Sequence, residues 1–90
     1  MLQKVYCVFE YCYVRKNAKL MSIHSTYEGA YNAMETLADY EGNNGYGFNI
    51  VKNKEAGTML VQSIYEDSDG AEFYMTNVKA YKIKERTLFT

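Results

Sequence analysis

Only one stretch of this chain, Ser25 to Gly42, repeats its apolar residues at helical spacing, and the segments on either side read as strands and turns. A chain with one helix must bury that helix's apolar stripe against something, and here the remainder can supply only a sheet. Tyr27, Ala30, Tyr31, Met34, Leu37 and Ala38 form the stripe. Ser25 is the expected N-cap, with Glu28 three residues later to complete a capping box, and Gly42 with Asn43, Asn44 and Gly45 supplies the stop. The polar side holds Glu28, Asn32, Glu35 and Asp39, and the helix contains no lysine or arginine. An all-acidic face forgoes a few tenths of a kcal/mol for each opposite-charge pair that it could have made along the helix.

Lys4 to Val14 is a nearly unbroken run of β-branched and aromatic residues, the pattern of a central strand. Alternation puts Val5, Cys7, Phe9 and Tyr11 on one face and Tyr6, Val8, Glu10 and Cys12 on the other, with Glu10 marking its own face as the wetter one. Arg15 to Ala18 connects to a returning strand, Lys19 to His24, with Met21 and Ile23 inward and Ser22 and His24 outward. After the helix, Tyr46 to Lys52 is a strand with Phe48 and Ile50 on one face. Asn53 to Gly57 is a turn and Thr58 to Glu66 a strand; Asp67 to Gly70 is a hairpin turn, and Ala71 to Ile83 is the last strand. A phase change between Phe73 and Val78 predicts a bulge near Thr76 and Asn77. Glu85 to Thr90 is expected to fray.

The expected order is therefore β-β-α-β-β-β: an α+β fold with a single helix packed on a mostly antiparallel sheet of four to five strands, residues 1–90 forming a single domain. One helix covers one face only. Ten tyrosines and four phenylalanines, without tryptophan or proline, suit half-buried sheet faces and interfaces. Tyr6, Tyr13, Tyr46, Tyr65, Tyr74 and Tyr81 are the candidates for the uncovered face, with Tyr6, Tyr13, Tyr74 and Tyr81 as its expected aromatic core.

A net charge of −1 implies no general attraction to nucleic acid or membranes, but the charges come in blocks. Up to Tyr27, Lys4, Arg15, Lys16 and Lys19 face only Glu10; from Phe73 onwards, Lys79, Lys82, Lys84 and Arg86 face only Glu85. Between them nine acids meet only Lys52 and Lys54. Cys7 and Cys12 lie too far apart along one extended strand to pair with each other. With no signal peptide and no apolar run long enough to span a bilayer, the reading is a cytoplasmic protein without a membrane partner.

Catalytic, metal and cofactor sites are all expected to be absent. His24 is the only histidine, and Cys7 and Cys12 point to opposite faces, so at most one could meet it. Asp67-Ser68-Asp69-Gly70-Ala71-Glu72 opens like a calcium loop but lacks the later ligands. Gly42 to Gly47 follows a helix rather than a strand and carries no lysine, which makes it a poor phosphate cradle. Tyr74, Lys79, Tyr81 and Lys82 could form a stacking platform for single-stranded nucleic acid, against which stands the acidic middle of the chain. The sharper feature is the acidic stripe Glu28, Glu35 and Asp39, with Asn32 beside it and continued by Glu66, Asp67, Asp69 and Glu72, as an anionic surface for a basic groove on a partner.

At Ile23-His24-Ser25-Thr26-Tyr27-Glu28-Gly29-Ala30, preceded by Lys4-Val5-Tyr6-Cys7-Val8 and followed by Val78-Lys79-Ala80-Tyr81-Lys82-Ile83, the chain resembles a loose group of small uncharacterised phage and bacterial ββαβ-type proteins. Gly29 and the strands between Tyr46 and Glu66 depart from the short pattern. The resemblance implies no catalytic residues. It implies a phage-type accessory protein that binds and modulates, or inhibits, a host or phage protein in the bacterial cytoplasm. The acidic helix face or the tyrosine-rich sheet face would serve as the interaction surface. A nucleic-acid-binding sheet module, or a self-assembling structural component dimerising through a sheet edge or aromatic face, are the alternatives.

Overall fold

The computed structural model describes residues 1–42, 48–66, 70 and 73–89. Among them five strands and one helix follow in the expected order: β1 (Leu2–Cys12), β2 (Asn17–His24), α1 (Tyr27–Gly42), β3 (Phe48–Asn53), β4 (Thr58–Glu66) and β5 (Phe73–Phe89). Every pairing is antiparallel, and the strands stand in the order β2-β1-β5-β4-β3. The longest strands, β1 and β5, therefore occupy the middle, and α1 crosses one face of the sheet.

The stripe read from the sequence is the one buried. Ala30, Tyr31, Met34 and Ala38 pack with Val8, Met59, Val61, Tyr81 and Ile83, while Tyr27, Leu37, Phe48 and Ile50 border that core. At the helix start the N-cap is Thr26, not Ser25: its Oγ1 accepts the Gly29 N–H at 3.0 Å. Two adjacent hydroxyl residues satisfy the same sequence rule, and the backbone reaches the helix one residue later than expected.

The β1–β2 turn also moves, to Tyr13–Lys16, closed by the Lys16 N–H donating to the Cys12 carbonyl at 2.7 Å, with Lys16 itself at φ 55°. In β2 the pairing shifts, Val8 opposite Ser22 but Phe9 opposite Leu20, so Met21 is an extra residue. That bulge breaks the alternation: Met21 borders the core, but Ile23, expected inward, is exposed, and Ser22 and His24 are half-buried. A second shift pairs Val61 with Lys79 and Gln62 with Asn77, placing the bulged residue at Val78, next to its expected position. Glu85–Phe89 does not fray; it extends β5 against Leu2–Tyr6, because the chain's first residues form the strand that pairs with it.

The β3–β4 turn is tied to the helix. Asn53 Oδ1 accepts the Ala56 N–H at 3.0 Å, and the Tyr27 hydroxyl donates to the Lys54 carbonyl. Gly57 adopts φ +67°, and a Cβ there would lie 3.1 Å from the Tyr27 hydroxyl and 3.3 Å from Ile83 Cβ, so both conformation and space favour glycine.

Candidate functional site

On the helix side of the sheet the helix acids are paired with lysines. Glu28 pairs with Lys54 at 3.3 Å, and Lys52 reaches Glu35 at 3.1 Å and Asp39 at 3.5 Å. The Lys52 ammonium is held above its ordinary pKa, first by its hydrogen bond to Glu35 and then by the Asp39 charge. Glu41 near the helix end bonds Lys79, which also stands 3.5 Å from Glu10. The acids that looked unpartnered along the helix thus meet lysines from β3, the following turn and β5. Of the proposed partner-binding residues, Glu28, Glu35 and Asp39 are paired, and Asn32 is exposed with its carbonyl accepting from Thr36 Oγ1. Asp67, Asp69 and Glu72 lie outside the described residues, as do Tyr46, most of the loop read as a poor phosphate cradle and most of the calcium-like segment.

Glu10 is the clearest departure from expectation. It is buried on the helix side, where the Tyr81 hydroxyl donates to Oε2 at 3.0 Å and Lys79 approaches Oε1. A carboxylate satisfied by partners 71 and 69 positions away carries no local signal of burial, and this one marks the covered face rather than the wet one. Burial and the Glu10 hydrogen bond push the Tyr81 phenol far above its ordinary pKa. Burial pushes the Lys79 ammonium down, but its bond to Glu41 and the charges of Glu10 and Glu41 more than offset that, leaving it raised.

Three of the four tyrosines assigned to an open aromatic face consequently have the parity of the covered one. Tyr81 is 1% exposed in the core, and Tyr6, half-buried, meets Tyr27 edge-on at 5.9 Å. Both share strand parity with Val8 and Met59, through the pairings Tyr6 with Glu85 and Tyr81 with Met59. Tyr74, whose ring stacks on Tyr65 at 5.5 Å, is exposed, and its pairing with Tyr65 gives it the parity of Val61 and Met59. Tyr13 is exposed and packs edge-on against Tyr11 at 5.0 Å. The proposed stacking platform of Tyr74, Lys79, Tyr81 and Lys82 is likewise not assembled, since Tyr81 and Lys79 belong to the covered side.

The uncovered face has a different composition. Ala18, Tyr11, Ala80, Leu60 and Val51 line up across all five strands, and the next row runs through Leu20, Phe9, Lys82 and Thr58. Beyond them Ile23, Cys7 and Lys84 align, then Val5 and Arg86. Lys82, Lys84 and Arg86 occupy alternate positions of β5, all exposed, and Lys84 Nζ lies 5.3 Å from the Phe9 ring centre. The carboxylates among described strand side chains, Glu10 and Glu85, stand on the other side, where Glu85 pairs with Lys4 at 3.5 Å. The small side chains of Ala18 and Ala80 leave both flanks of Tyr11 open, and a groove of about 290 Å³ forms there, bounded by Phe9, Tyr13, Lys82 and Lys84. Sequence reasoning missed Phe9, Tyr11, Lys84 and Arg86 as candidates. Their signal was present in Lys82-Ile83-Lys84-Glu85-Arg86, where strand alternation sends every cation to one face and Ile83 and Glu85 to the other.

The remaining reactive groups do not converge. Cys7 is buried on the open face and Cys12 half-buried at the far end of β1, both as free thiols. His24 is half-buried rather than exposed, its Nε2 2.8 Å from Ser22 Oγ. Among the described residues no group of three His, Cys, Asp or Glu side chains could hold a metal ion, and no helix is long and apolar enough to cross a membrane. Comparison of the chain with known protein families, curated proteins and solved structures returns no match.

Proposed function

We propose that this protein is a non-enzymatic binding module whose working surface is the open face of the sheet, and that it engages an anionic macromolecule there. The observation that carries this reading is the separation of charge: each of the helix acids Glu28, Glu35, Asp39 and Glu41 is paired with Lys52, Lys54 or Lys79, whereas Lys82, Lys84 and Arg86 stand on a face where no described strand carboxylate opposes them. An anionic partner gains from the unopposed cations, and a basic one gains little from acids that already hold partners. The working surface thus shifts from the acidic helix to the opposite side of the molecule.

Retention on immobilised heparin tests the choice of face. The double variant Lys82→Glu/Lys84→Glu is expected to elute at clearly lower salt than the parent, and Glu28→Gln/Glu35→Gln at the same salt or slightly higher. Equal elution of the parent and the β5 variant would remove the open face from the account.

A further inference from the structure

We propose that the open face binds single-stranded nucleic acid, with bases stacked on Tyr11, Phe9 and Tyr13 and the phosphate backbone following Lys82, Lys84 and Arg86. This rests on the reading of that face as a site for an anionic macromolecule and names its chemical class.

The face supplies two things that a polyanion alone would not require. The first is aromatic surface held on a rigid strand. Tyr11 on β1 and Tyr13 at the start of the turn after it are each 37% exposed, and Phe9 on β1 is half-buried next to them. Ala18 and Ala80 flank Tyr11 across the sheet, so the groove of about 290 Å³ is open to a planar group at the ring's sides. Stacking on such rings tolerates any base, because every base has a π-face. The second is regular spacing. Alternate residues of a strand are separated by about 6.7 Å, so Lys82, Lys84 and Arg86 offer a cation at each step along an extended chain carrying one charge per unit. The aromatic row on β1 meets this cationic row on β5 at one register, Phe9 opposite Lys82; from there the rings continue to Tyr11, opposite Ala80, and the cations continue the other way to Lys84, opposite Cys7, and Arg86, opposite Val5. One strand lying along the sheet would therefore meet the rings with its bases over one part of its length and the cations with its phosphates over the next, the two parts joining at Phe9 and Lys82. A duplex keeps its bases stacked inside and offers the rings nothing, and an acidic peptide uses the lysines but not the rings. A second copy of the chain seated with β5 over β5 would set Lys82, Lys84 and Arg86 against like charges.

The test is fluorescence anisotropy with a labelled oligodeoxythymidylate and the full chain, using duplex DNA and polyglutamate as competitors. Binding is expected to weaken roughly 20-fold between 50 and 200 mM salt, the dependence for about three neutralised phosphates on a single strand. Tyr11→Ala is expected to weaken it about 5- to 150-fold, and Tyr11→Phe, which keeps the ring, by much less. Circular dichroism of each variant separates loss of binding from loss of fold, and the Phe variant keeps the aromatic claim testable if the Ala variant unfolds. If polyglutamate competes as well as the oligonucleotide does and Tyr11→Phe and Tyr11→Ala both bind like the parent, the nucleic-acid assignment is overturned while the anionic face stands. If neither polyanion binds at low salt, both fail. Sedimentation that shows a dimer dissociating on Lys82→Glu or Tyr11→Ala would assign the face to a second copy and overturn the proposal.

Discussion

The two faces of this sheet are built from the same five strands and differ in what they do with charge and aromatic rings. On the covered face each helix acid from Glu28 to Glu41 finds a lysine, and Tyr81 and Tyr31 spend their rings on the core. On the open face the cations of β5 have no described strand carboxylate opposite them, and Tyr11 and Tyr13 remain accessible. The difference shows why block-wise charge along a chain is a poor guide to its surface. The acidic middle and the basic C-terminal segment interleave in space, so that part of one neutralises part of the other and the remainder is displayed on the opposite side.

The sharpest contrast is in stability. Met34 is fully buried between helix and sheet, and Met34→Ala is expected to cost about 2–5 kcal/mol in urea unfolding. Leu20→Ala on the open face, where the side chain is 48% exposed, should stay within about 0.5 kcal/mol. Similar losses at both sites would mean that the open face is itself packed against something in solution.

A smaller effect is expected inside the polar cluster. Tyr81→Phe leaves the buried Glu10 carboxylate without its hydroxyl donor and should cost about 1–3 kcal/mol. The pH dependence follows from the directions at this site. The phenol of Tyr81 and the ammonium of Lys79 are both raised in the folded protein. Their contribution is therefore complete below the ordinary pKa values of 10.0 and 10.5 and is lost as pH rises past them towards the folded values. Thermal unfolding followed from pH 8 to 11 should show an alkaline fall in Tm that is shallower in Tyr81→Phe, which has no phenol to ionise. An unchanged slope would place the alkaline sensitivity elsewhere.

The smallest effect belongs to the helix surface. Lys54 and Glu28 are both more than half exposed, so Lys54→Ala should change stability by less than about 1 kcal/mol. Its more telling consequence is to free the Glu28 carboxylate, and heparin retention should fall only slightly, since Lys54 lies on the covered side.

Local pattern made much of this legible. The apolar stripe of α1, the inward pair Phe48 and Ile50, the element order and the bulge near Asn77 all depend on neighbours within a few residues, and periodicity reports such neighbours faithfully. What it missed depends on distant partners or on a single inserted residue. Glu10 is buried because residues from the last strand satisfy it, and Ile23 turns outward because Met21 bulges. Tyr6 and Tyr81 were assigned to the open face for want of the one fact that fixes parity, which side of β1 meets the helix. With that fact, the alternation of Lys82, Lys84 and Arg86 identifies the cationic face from sequence alone.

The most direct test of this division of labour is chemical-shift mapping of the isotope-labelled protein during titration with an oligodeoxythymidylate. The amides of Phe9, Tyr11, Tyr13, Lys82 and Lys84 are expected to shift progressively while those of the exposed helix residues Glu28, Asn32 and Asp39 stay in place. Shifts concentrated on the helix, or none at low salt, would contradict it.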